Sequence, residues 1–171
     1  EALTRRLAEA AHAAGKEGLL HLPMEAQHKN HLLGPGALRS TMAYDEFVTT
    51  LHAALANVPH LVGVNNHMGS LLTRDKQRMG WLMSELSDQR GLIYIDSRTT
   101  SHSAARGAAR AAQVPYLARD VFLDNQLDHA YINARFDELL MHARARGTAI
   151  GIAHPHAETL QVLAARLGDL A

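Results

Sequence analysis

The sequence has no cysteine, few aromatics (5%), no net charge and no long apolar run. Without cysteine there can be no disulfide, thiolate zinc site or cysteine nucleophile, so any metal must be held by imidazole, carboxylate or water. Lys+Arg and Asp+Glu balance at 17 each. That leaves no basic patch for phosphates, and the scarce aromatics leave little for bases to stack on, so nucleic acid is not an expected partner. No window approaches the roughly 18 apolar residues of a membrane span, and the opening residues lack the succession of a signal peptide; the chain as given reads as soluble. What is present is 171 residues, 47% of them apolar, with 12 histidines. This suffices for one core, read as a single domain over 1–171. Histidine is the commonest metal ligand and proton carrier near neutral pH, so the question is which of the 12 act.

Apolar spacing alternates between two periods along the chain. A helix is expected over Ala2 to Ala14, followed by a strand at Leu19-Leu20-His21-Leu22 and a long aperiodic loop from Glu25 to Ser40. Phe47, Leu51, Leu55 and Val58 mark a second helix, with the strand Leu61-Val62-Gly63-Val64 after it. Thr73 is the expected N-cap of a third helix burying Met79, Leu82, Met83 and Leu86, before the strand Leu92 to Ile95. Ser101 and Ser103 are expected to cap an Ala-rich helix reaching Gln113, and Val121-Phe122-Leu123 reads as a strand. Ile132, Phe136, Leu139, Leu140 and Ala143 form a helical face, Ala149 to Ala153 a fifth strand, and Leu160, Leu163 and Leu167 a last helical face. Strands apolar throughout and alternating with helices predict an α/β fold with parallel strands buried on both faces, a doubly wound sheet or a barrel. In such folds ligands gather at the strand carboxyl ends.

The chemically capable residues collect at those ends. Asn65-Asn66-His67 directly follows an apolar strand, where it binds a metal or ligand or forms a hydrogen-bonded loop capping the next helix. His154-Pro155-His156 holds two rings two residues apart, facing one site or merely capping and solvated. Since His67 and His154 follow strands at the same end of the predicted sheet, they are expected to converge on one ion. Asp96 orients a ligand histidine, works as an acid or base, or pairs with Arg98. Glu25 binds a substrate hydroxyl or anchors the long loop through backbone amides. Arg39 is a surface charge or is carried into the site by a mobile loop. His12, His52, His129 and His142 read as solvated or partly packed; His60 and His102 have no companion; His28 and His31 are spaced for a metal if helical. There is no H-E-x-x-H, P-loop, G-x-G-x-x-G or G-x-S-x-G motif.

Five blocks, His21-Leu22-Pro23-Met24-Glu25, Gly63 to Ser70 (GVNNHMGS), Ile95 to Ser101 (IDSRTTS), Arg119 to Asp124 (RDVFLD) and Ile150 to His156 (IGIAHPH), together resemble the divergent polysaccharide deacetylase family, bacterial envelope proteins related to the NodB-type carbohydrate deacetylases. The resemblance implies a deformed (β/α) barrel of the NodB-like type with a divalent metal, zinc by expectation, at the strand carboxyl ends. It implies hydrolysis of an acetyl group on a glycan by metal-activated water. His67 resembles the metal histidine of the family's second motif, and His154 the late-strand histidine that serves as acid or completes the metal site. Asp96, Arg98 and His154 become the expected catalytic residues, and Glu25, Arg39, Asn65, Asn66, Asp120 and His156 the expected substrate contacts. A periplasmic or secreted location is implied as well. Two departures stand out. No second histidine follows His67, Asp75 being the nearest candidate ligand, and the Asp-Asp of the family's first strand is missing. An N-terminally incomplete barrel lacking its first strand, with weak metal affinity, is therefore expected. A competing reading is a non-catalytic envelope protein that binds a glycan or a protein partner through the same cleft; a third, an unrelated metal hydrolase, needs other converging carboxylates.

Overall fold

The computed structural model describes residues 2–89 and 91–170. Within these, helix and strand alternate: α1 (Ala2–Ala13), β1 (Gly18–Met24), α2 (Tyr44–Ala56), β2 (Leu61–Met68), α3 (Lys76–Asp88), β3 (Ile93–Asp96), α4 (Ala105–Ala111), β4 (Tyr116–Ala118), β5 (Val121–Phe122), α5 (His129–Arg146), β6 (Gly151–Ile152) and α6 (Ala157–Arg166). The fold is α/β, with parallel pairing of β1 with β2, β2 with β3 and β5 with β6. The chain divides into two compact units, Glu1–Leu117 and Ala118–Ala171.

In the first unit the sheet runs β1-β2-β3-β4. The register sets His21 beside Asn65, Pro23 beside His67 and Asn65 beside Ile95, so the loops after three strands leave from one edge. β2 and β3 approach so closely at Gly63 that a Cβ there would lie 2.5 Å from the Ile93 carbonyl oxygen, which only glycine avoids. The core beneath is apolar, with Leu22, Met24, Phe47, Leu51, Val64, Tyr94 and the four expected residues of α3, Met79, Leu82, Met83 and Leu86, all buried. α3 is capped by Asp75, whose side chain accepts from the Gln77 and Arg78 amides. Thr73 is not the cap: it lies in a 3-10 turn and its hydroxyl donates to the Gly69 carbonyl. α4 ends at Ala111 rather than Gln113, and its cap residue is Ala104; Ser103 instead accepts from the Ala105 amide while donating to Asp96. β4 is a strand the apolar pattern did not mark, because its three residues are half-buried or exposed.

The second unit holds β5 and β6 with α5 and α6. Asp128 caps α5 through the Tyr131 amide, and Gly147 ends it in the left-handed conformation. Val121, Leu123 and Phe136 form its core. Along α6 the buried residues are Thr159 and Val162, while the expected Leu160 and Leu167 are exposed. The helix is turned by a polar anchor, the Thr159 hydroxyl bonding a buried carboxylate described below.

Candidate functional site

At the carboxyl edge of the first sheet, two imidazoles from adjacent strands meet. His21 Nε2 lies 3.1 Å from His67 Nδ1, and His21 Nδ1 lies 2.7 Å from Asn65 Oδ1. The Asn65 amide is oriented by its own nitrogen, which donates to the Ile95 carbonyl and the Ser97 hydroxyl. Its oxygen therefore faces His21, and His21 must donate from Nδ1. Asn66, next along the strand, points to the opposite face and is wholly buried. Its oxygen accepts from the Ser97 amide and the Tyr94 hydroxyl, and its nitrogen donates to the Met68 carbonyl. Of the paired asparagines, Asn65 supports an imidazole and Asn66 clasps the scaffold.

The loops around this edge are strapped to one another. Glu25 accepts the amide and hydroxyl of Ser40 with one carboxylate oxygen, and its carbonyl accepts the Leu71 and Leu72 amides. Of its two sequence readings, the loop anchor is what the structure displays. Leu38 forms a parallel bridge to Met24, which seats half-buried Arg39 beside the end of β1. Asp96 is buried and engaged by the Arg98 amide, the Ser103 hydroxyl and the Tyr116 hydroxyl. Burial, then the Asp96 charge, pushes the Tyr116 hydroxyl up to about 12, so it stays a proton donor to that carboxylate. Asp96 touches Arg98 through the main chain, and Arg98 itself turns through a positive φ of 50°.

Other histidines have partners the sequence did not suggest. His60 stacks on His12 at 3.9 Å and pairs with Glu9, and His102 contacts the Ser101 hydroxyl. These companions come from chain segments that only tertiary structure brings together or from an adjacent side chain. Asp75, the candidate second ligand after His67, is occupied as a helix cap and in an ion pair with Arg78.

In the second unit, Asp124, His154 and His156 each bring a ligand atom within 4.8 Å of the others, the only such trio of metal-ligating side chains among the described residues. The Asp124 side chain is fully buried, whereas that of His154 is 41% exposed, so one end of the couple is fixed and the other reachable. One Asp124 oxygen accepts the His154 amide and the Thr159 hydroxyl. The other lies 3.1 Å from His154 Nδ1. A carboxylate so held fixes the ring and its tautomer, presenting Nε2 outward. Asp124 escaped the sequence reading of site residues, although it ends the run Val121-Phe122-Leu123, because its partner lies 30 residues on. His156 sits at the N-cap of α6 with its ring centroid 5.9 Å from that of His154.

Asp120, an expected substrate contact, braces the second unit by accepting from the Ile150 amide and the Arg146 guanidinium. Partial burial pushes its carboxyl up, but those two donors outweigh it and hold the group below its usual 3.8. A depressed carboxyl contributes stability above its unfolded value and loses it as pH falls through the folded one. Asp120→Asn is accordingly expected to lower stability by up to about 1 kcal/mol near neutrality and to flatten the acid limb below about pH 4, read by urea unfolding at pH 3 and pH 6.

Comparison with known proteins adds three findings. The family model described as divergent polysaccharide deacetylase matches residues 1–171. Among curated proteins, the chain is 38% identical over 159 residues to the uncharacterized protein YibQ of Escherichia coli, covering 93% of this chain and 49% of that protein. It is 34% identical over 160 residues to an uncharacterized protein of Haemophilus influenzae, covering 94% and 56%. The chain thus spans about half the length of the curated relatives it matches. Among solved structures, an uncharacterized protein of Agrobacterium tumefaciens superposes with a TM-score of 0.90 at 26% identity, over 98% of this chain and 69% of that one.

Proposed function

The chain belongs to the divergent polysaccharide deacetylase family, and on that premise we propose that it is a hydrolase domain releasing acetyl groups from a glycan of the bacterial envelope, in the periplasm or outside the cell. The observation that carries this reading is the couple of buried Asp124 and reachable His154. With Nδ1–H held by the carboxylate, His154 Nε2 is left to accept a proton from an attacking water and return it to the leaving group, the work of a general acid–base pair. Asp124 stabilises the imidazolium formed in between.

The donor set suits a divalent cation of the zinc class, since it offers imidazole nitrogen and carboxylate oxygen and no thiolate. Among the described residues of the second unit, His156 with Asp124 beside it would hold such an ion, and His154 Nε2 would stay free to move a proton. When bound, such an ion lowers the pKa of its water and polarises a carbonyl.

The test is acetate release from N-acetylated and O-acetylated envelope glycans by a protein containing this chain, with and without added zinc. Release is expected, and His154→Ala is expected to reduce it by about 100-fold or more. No release from any glycan, with glycan binding retained, would favour the non-catalytic binder instead.

A further inference from the structure

The outward face of α5 is laid out to meet a copy of itself. Of its 18 residues the buried ones are Ile132 and Phe136, while Ala130, Ala134, Asp137, Met141 and Arg144 all stand exposed. Their spacing of four, three, four and three residues draws one stripe down the helix, the seam by which one helix packs along another. Met141, 57% exposed, is the large apolar side chain of that stripe. Asp137 and Arg144 flank it and line the same groove, of about 770 Å³, together with Leu140, Ala145 and Arg166. Asp137 receives one bond from the Arg166 guanidinium, yet its side chain remains 66% exposed. Arg144 has no hydrogen bond or ion pair among the described residues. Two turns apart, these charges are separated by about 10 Å along the axis, too far to satisfy each other within one helix. Charged residues at seam positions cost stability but fix the register and orientation of the helix that packs there.

A second α5 running antiparallel, related by a two-fold axis between Leu140 and Met141, satisfies both charges. It sets Asp137 against Arg144 of the second copy and, by the same symmetry, Arg144 against Asp137 of the second copy, with the two Met141 side chains packed between the ion pairs. Parallel alignment would set like charge against like. From this arrangement we infer that the exposed face of α5 is an isologous interface through which the chain pairs with a second copy of itself. The complement comes from the chain's own residues, which singles out a second copy over a foreign helix. Ala134 and Ala145 keep the seam shallow enough for an interaxial distance of about 8–10 Å. The chain has no net charge at pH 7, so two copies approach without overall repulsion. One helix pair buries less than the roughly 1,200–2,000 Å² of a standard interface, which sets the expected dissociation constant on the order of 100 µM. The interface stands apart from the proposed hydrolysis.

Sedimentation equilibrium of this chain at neutral pH and low ionic strength, over about 10 µM to about 1 mM, tests the inference in wild type, Asp137→Lys and Arg144→Glu. Circular dichroism first checks that both variants keep the helix content of the wild type. Wild type is expected to dimerise, and either substitution to weaken the dimer at least about 10-fold, because each variant sets like charges together on both sides of the axis. An equimolar mixture of the two variants is expected to dimerise within about 3-fold of wild type. In the mixture the introduced lysine meets the introduced glutamate, and the native Arg144 of one chain meets the native Asp137 of the other. Such rescue between two variants that each fail alone requires antiparallel pairing at this face. Wild type that stays monomeric at the highest concentration, variants that associate as tightly as wild type, or a mixture no tighter than its components would each overturn the inference.

Discussion

Asp124→Asn is expected to reduce acetate release by a factor of about 100 to 10,000 while leaving the protein folded. The reason lies in which donors the carboxylate serves. One oxygen receives the His154 main-chain amide, which cannot turn away, together with the Thr159 hydroxyl. In the variant the single amide oxygen must take that place, because an NH₂ group there would face an N–H. The new NH₂ then faces His154 Nδ1 and donates to it, so Nδ1 gives up its proton and the ring carries it on Nε2. His154 would then present a donor where a base is needed. The expected cost to folding is only about 1–2 kcal/mol, since two of the three bonds survive. Long-range ¹H–¹⁵N spectra should find His154 protonated on Nδ1 in the native protein and on Nε2 in the variant. An unchanged tautomer, or unchanged turnover with a changed tautomer, would remove Asp124 from the mechanism.

The largest loss of stability is expected from Asn66→Ala, about 3–5 kcal/mol. Asn66 has no exposed surface, and truncating it strands the Ser97 amide and the Tyr94 hydroxyl in the interior, while the Met68 carbonyl keeps only the Thr99 hydroxyl. Each abandoned buried partner costs about 1–3 kcal/mol, and the methyl group offers nothing in return. Asn66→Asp keeps an acceptor for Ser97 and Tyr94 but sets a carboxylate oxygen against the Met68 carbonyl, so it does not rescue the fold at neutral pH. Asn65→Ala, by contrast, acts chiefly through His21. Urea midpoints separate the two positions, and equal midpoints would mean that the pair is not divided between scaffold and site.

That division was visible in the sequence only in part. Alternation along a strand already implies that Asn65 and Asn66 face opposite ways, but which of them faces the core depends on Tyr94 and Ser97, about 30 residues further on. The helical face of α3 was legible because one element decides it: Met79, Leu82, Met83 and Leu86 recur at helical spacing and all are buried. Its cap was not, since Thr73 and Asp75 are both capable and a 3-10 turn through Leu72–Arg74 moves the helix start beyond Thr73. His21 was read as part of an apolar run; its meaning comes from the pairing of β1 with β2, which puts a histidine alongside Asn65. Asp124 stayed hidden for the same reason, needing β6 beside β5 to bring His154 to it. Individual strands and the residues at their ends can be read from local pattern. The partners that turn those residues into chemistry are set by register between segments distant in sequence.

Pro23 and Leu38 have a bearing on how the molecule avoids its own kind. Among the described residues β1 is an edge strand of its sheet, and an open edge invites strands from other copies to add on, the first step toward aggregation. Pro23 carries no amide proton to offer such a visitor. Its carbonyl already receives the Leu38 amide, and the Glu25 amide is already given to the Leu38 carbonyl. The far half of the edge is thus shut by the chain itself, so the long loop that arranges Arg39 near the strand ends also guards them against intermolecular sheet growth.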